Sequence, residues 1–92
     1  MGSAREEAFR IAMQNRGAAI TLARTMLATV VAQPQFKPGL GAALRTEPPK
    51  DAIEALASLF GQRGDPQDAA ALRRLASVVA FHALTWREID GN

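Results

Sequence analysis

The chain has no cysteine and no tyrosine, one tryptophan and one histidine. Without thiols, disulfides, thiolate catalysis, zinc knuckles and iron–sulfur ligation are excluded, and nothing points to an oxidising compartment. A single imidazole with scattered carboxylates does not assemble the several ligands that a metal site takes. That residue, His82, falls on the shoulder of an apolar helix face. Its nearest acid in sequence, Glu88, lies about 120° away around a helix, so no general acid–base pair forms and a structural role is expected. The three serines (Ser3, Ser58 and Ser77) lack triad partners. Phosphate loops are missing as well: Gly39-Leu40-Gly41 carries only part of a dinucleotide fingerprint, and Gly-Lys-Ser/Thr does not occur. Long apolar runs are also lacking. The longest, Val78 to Trp86, contains His82 and Thr85 and is far below the ~20 residues of a membrane span. Glu6-Glu7 stands where a secretory leader would be basic. These absences predict a cytoplasmic, non-enzymatic chain with no cofactor, no metal, no small-molecule substrate and no membrane partner.

What is present is helix-forming material. Nineteen of the 92 residues are alanine and only four are phenylalanine. Alanine is the best helix former but buries little area, so helices form readily around a thin core. A domain this short buries only about 60% of its unfolded surface, and a second copy or a partner protein would add what the core lacks. Nine of the eleven cations are arginine. Arginine and alanine abundance together point to a GC-rich bacterial genome. The net charge of +2 is too small to establish nucleic-acid binding.

Met1-Gly2-Ser3 reads as a cloning remnant, and residues 4–92 as a single domain. Ser3-Ala4-Arg5-Glu6 has the form of a capping box. Phe9, Met13, Ile20, Ala23, Leu27 and Val30 then share one face of a helix over 4–32, ahead of Pro34. Arg16-Gly17 interrupts the stripe, either as a helix end or as a polar spot within one helix. The phase holds on both sides, which favours one helix, bent at most. Residues 33–41 form a Pro/Gly loop with Phe36 pinning it to the core, and 40–45 a short helical turn. A third helix covers 49–60, with Gly61 and Gly64 closing it. Asp65-Pro66-Gln67-Asp68 is a strong start signal for a last helix over 66–88, whose inner face holds Leu72, Leu75, Ala76, Val79, Ala83 and Trp86. No segment alternates with period two. The expected fold is an all-α, small antiparallel bundle of three to four helices (two long, one or two short) without a β-sheet.

On this wheel Phe81 and Leu84 project away from the inner face, among Arg73, Arg74, Ser77 and Glu88. Aromatic and arginine side chains mixed on one face resemble the anchors that carry binding energy. Arg16, at a seam position of the first helix, is a candidate to set register between partners. Phe81, Leu84, Arg73, Arg74 and Arg16 are therefore the candidate partner-binding residues. The leading expectation is a protein–protein interaction module (an adaptor, regulator or chaperone-like subunit) that binds another protein or a second copy of itself. An alternative is a helix-turn-helix DNA-binding regulator using Arg63, Arg73 and Arg74. Against it stand a five-residue turn, Gly61 to Asp65, and the acids Asp65 and Asp68 at the end that would enter the groove. A further alternative is an accessory subunit of a larger bacterial complex.

Overall fold

The computed structural model describes residues 4–34, 39–91, and all regular structure within them is helical. Six helices follow one another: α1 (Ala4–Gln14), α2 (Arg16–Val31), α3 (Leu40–Leu44), α4 (Pro49–Gln62), α5 (Pro66–His82) and α6 (Trp86–Asp90). Ser3 and Phe36, assigned a cap and a loop anchor from the sequence, lie outside the described residues. Among the described residues no helix is long and apolar enough to cross a membrane.

Two breaks raise the helix number above the three or four expected. The first divides the expected 4–32 helix at Asn15, whose backbone is extended (φ −141°, ψ 114°). Its Oδ1 accepts from the Ala18 amide at 3.0 Å, so Asn15 caps a new helix rather than continuing the old one. Apolar phase alone cannot reveal such a break, because the two helices pack on the same core and keep their stripes facing it. Arg16-Gly17 is the first turn of α2, not the C-terminal cap of α1.

The second break ends the last helix at His82 instead of residue 88. Ala83 takes a left-handed conformation (φ 52°, ψ 46°), the one non-glycine residue with positive φ among those described. The Leu84 amide donates to the Val79 carbonyl at 3.0 Å and the Ala83 amide to the Ala80 carbonyl at 3.2 Å. This paired bonding is the Schellman ending, which joins an apolar residue after the turn to one in the last helical turn. Leu84 accordingly swings inward and joins Val79 in the core, 4% and 1% exposed. Thr85 then caps α6, with its hydroxyl accepting from the Glu88 amide and the Glu88 carboxylate accepting from the Thr85 amide. Alanine at the left-handed position hides this signal, since glycine is what normally marks it.

Between α4 and α5 the turn is shorter than expected. Gly61 stays inside α4, Arg63 ends it, and Gly64 supplies the positive φ of 84°. Residues 63–65 form the whole connection, so α5 returns along α4 in the most extensive helix pairing of the fold. Asp65 precedes α5 as expected, but its side chain makes no cap hydrogen bond.

α5 is the central element, packed by α4, α1 and α2. Its buried residues Leu72, Leu75, Ala76, Val78 and Val79 meet Ile53, Leu56, Ala57 and Phe60 of α4, Phe9 and Ala12 of α1, and Ala19, Ala23 and Leu27 of α2. Much of this core is alanine, which permits close helix approach at the cost of buried area. The body measures 33 × 33 × 18 Å, so even the central helix keeps one side in solvent.

α6 is held by arginines. The Arg24 guanidinium donates to the carbonyls of Glu88 (2.7 Å) and Ile89 (3.0 Å), satisfying groups that a helix end leaves unpaired. Arg16 pairs with the Glu88 carboxylate at 2.6 Å and Arg45 with Asp90 at 2.7 Å. Trp86, expected on the inner face of the long helix, sits instead at the start of α6 and donates its indole N–H to the Glu47 carbonyl. Ala83, expected to face inward, is exposed.

Candidate functional site

The outward face of α5 carries Ala70, Arg73, Arg74, Ser77, Ala80 and Phe81, all exposed and separated by helical spacings of three and four. Phe81 is 66% exposed, the largest value among the big apolar side chains of the described residues, and touches His82 edge to face at 5.0 Å. Beside this stripe lies the flank of α1. Phe9, Arg10 and Met13 line an open groove of about 320 Å³ with Arg74, Ser77 and Val78. Met13 is 37% exposed. It was expected in the buried stripe of a continuous helix, and the Asn15 break turns it partly outward.

The groove has fixed walls. The Arg74 guanidinium lies 5.9 Å over the Phe9 ring, a cation–π placement that orients it while leaving the side chain exposed. Arg10 donates its Nε–H to Glu7 at 3.1 Å. That contact holds the Glu7 carboxyl below the ordinary carboxylate range. His82 ties the two helices together: its imidazole Nε2–H donates to the Ala12 carbonyl at 2.6 Å, joining the end of α5 to the last turn of α1. This is the structural role expected of the lone histidine.

The five candidate partner-binding residues do not come together. Phe81, Arg73 and Arg74 share the α5 face. Leu84 does not: the Schellman turn buries it, so its expected outward projection is wrong and it is removed from any docking surface of this chain. Arg16 is engaged by Glu88 on α6. Its ion pair ties the start of α2 to α6 within one chain. The Glu88 carboxyl is held below its ordinary range, first by the hydrogen bond from the Thr85 amide and then by Arg16. Met13, Phe9 and Arg10 were not among the candidates. The Asn15 break that brings them to the groove leaves a trace in sequence only as an asparagine three residues before an alanine.

Of the nucleic-acid candidates, Arg63 lies in the α4–α5 turn, apart from Arg73 and Arg74 on the second and third turns of α5. The three-residue turn removes the length objection to a helix-turn-helix. The charge objection stands, because Asp65 and Asp68 are exposed at the leading end of α5.

A second cavity, also about 320 Å³, lies between α2, α3 and α6, lined by Leu27, Val31, Leu44, Trp86 and Ile89 with Arg24 and Arg45 at its polar edge. Both arginines are spent on α6, as described above. Among the described residues no three metal-ligating side chains gather.

Comparison with protein-family models, with curated proteins and with solved structures returns no match. The functional reading therefore rests on the geometry of the α1/α5 face.

Proposed function

We propose that the chain is a protein–protein interaction module whose docking surface is the α1/α5 face that carries Phe81. One observation carries this reading: a phenylalanine left 66% in water, one helical turn from Ser77 of a groove that a part-exposed methionine and an oriented arginine also line, in a chain otherwise short of large apolar side chains. Exposed aromatic and arginine residues around a groove match the composition of interface centres. The four longer helices form the antiparallel scaffold that presents this face, α5 supplying its outer side. An adaptor, regulator or accessory-subunit role in a bacterial cytoplasm is consistent with it.

The test is Phe81→Asp. The side chain contributes little to the core, so helicity by circular dichroism and the thermal midpoint stay near those of the parent chain. Association, followed by sedimentation of the chain alone and with lysate fractions, weakens. Unfolding of the variant would show that Phe81 is structural and remove the reading.

The short α4–α5 turn keeps a DNA-binding regulator as the second reading, with Arg63, Arg73 and Arg74 as contacts. It requires retention on duplex DNA that falls steeply with salt. Absence of retention at low salt eliminates it.

A further inference from the structure

We infer that the α1/α5 face receives an acidic amphipathic helix of a partner protein, an inference that rests on the interaction reading above and names its partner class. Charge is segregated along this chain. Residues 8–24 contain three arginines and no acid, and residues 69–87 likewise contain three arginines and no acid. These two stretches supply the groove. Within them Arg10 is engaged by Glu7 and Arg16 by Glu88. Arg73 and Arg74 make no ion pair with a described residue and are exposed on α5; Arg74 lines the apolar groove and shares a neighbouring hollow with Glu6, while the Arg73 guanidinium lies toward Gly61 of α4. The Arg74 guanidinium, oriented over Phe9 at the groove that Met13 lines, and the exposed Arg73 and Phe81 on the same helix form a surface complementary to a helix that mixes carboxylates with apolar anchors.

The shape agrees. Ala70, Ser77 and Ala80 are small, so a partner backbone can lie close along α5, with Phe81 as a ridge at one end. From Ala70 to Phe81 the stripe runs about 16 Å at the helical rise, matching about three turns of a docked helix. The groove walled by Phe9, Met13 and Val78 accepts one apolar side chain from it, and carboxylates one turn away on the partner reach Arg73 and Arg74.

A second copy of this chain fits less well. A two-fold pairing through the centre of the face brings Arg73 and Arg74 close to their own equivalents, a like-charge juxtaposition that costs affinity. Duplex DNA would satisfy the guanidinium groups but leaves Phe81 and Met13 without an apolar partner, and two free arginines are few for a phosphate-tracking surface.

The test uses the full chain, isotope-labelled and followed by backbone-amide NMR. Three probes are titrated in: a blocked synthetic helix of about 18 residues with leucine on one face and glutamate on its flanks, the same peptide with lysine for each glutamate, and a duplex DNA of random sequence. The glutamate peptide is expected to shift the amides of Met13, Arg73, Arg74, Ser77 and Phe81. Its binding should weaken about 10-fold in Phe81→Ser and fall with added salt. The double variant Arg73→Glu/Arg74→Glu should bind the lysine peptide in preference, a reversal that misfolding would not produce. Absence of a response to the glutamate peptide, equal binding of the lysine peptide, or tighter binding of DNA at the same amides would overturn the inference. If the chain alone self-associates through Phe81 while ignoring the glutamate peptide, the interaction reading survives and the acidic-partner inference fails. If neither occurs, both fail.

Discussion

Replacing Leu84 with alanine and, separately, Phe81 with alanine tests the local chain path on which the docking face depends. The two residues are three apart and would flank one another on a continuous helix, so helical periodicity predicts similar effects. The left-handed Ala83 separates them instead: Leu84 is 4% exposed and Phe81 66% exposed. Truncating a buried leucine removes its transfer free energy and leaves a cavity, a loss of about 2–5 kcal/mol. A domain of this length has roughly 5–14 kcal/mol of stability in total, so Leu84→Ala removes a large share of it. With a urea slope of about 1.5 kcal/mol per molar, a loss of 3 kcal/mol moves the midpoint by about 2 M. Phe81→Ala, by contrast, gives up mainly its edge contact with His82, and its cost stays within about 0.5 kcal/mol. Equilibrium urea unfolding followed by circular dichroism reads both. Equal losses for the two variants would refute the chain reversal at Ala83, and with it the exposure of Phe81.

Glycine positions give an independent check on the α4–α5 turn. Gly61 lies within α4, and an added Cβ there would meet Ala69 Cβ at 3.9 Å and the Arg73 side chain at 3.8 Å, both ordinary contacts. Gly61→Ala should therefore stabilise by about 0.5–1 kcal/mol in thermal unfolding, and a loss would mean the helix ends at Phe60. Gly64→Ala, at φ 84°, should destabilise by about 1 kcal/mol, since alanine is strained there. Asn15→Ala removes the side-chain cap of α2 and is expected to cost about 1 kcal/mol, whereas a continuous helix would gain from the same change. The depressed Glu88 pKa means that its stabilising contribution is present above the ordinary value of 4.5 and is lost as pH falls through the folded-state value below it. Acid unfolding of Glu88→Gln should lack that component, so the parent chain's advantage over the variant shrinks with falling pH; an advantage independent of pH would show that the Thr85 and Arg16 contacts do not govern it.

Helix content, the course of α4 and the start of α5 at Asp65-Pro66 were legible in the sequence because propensity, proline placement and period agree there. The face that matters was half legible. Phe81, Arg73 and Arg74 share it as their spacing implies, but Leu84, Met13 and Trp86 do not follow the wheel. In each case a single residue overrides periodicity. Asn15 trades helical backbone for its own side-chain bond, and Ala83 adopts a conformation that glycine would have advertised. Alanine tolerates the strain here because Leu84 and Ile89, only 4% and 3% exposed, are buried by the reversal, and Arg16, Arg24 and Arg45 secure the short helix that follows. The same reversal stops α5 immediately after Phe81. If α5 ran on to residue 88, its extra turns would carry Thr85 and Glu88 onto the outer face, setting a carboxylate about 10 Å along the axis beyond Phe81. Folding α6 away ties Glu88 to Arg16 and Thr85 instead. The left-handed alanine therefore both removes Leu84 from the surface and keeps the Glu88 carboxylate off the Phe81 end of the stripe, where it would repel an acidic partner.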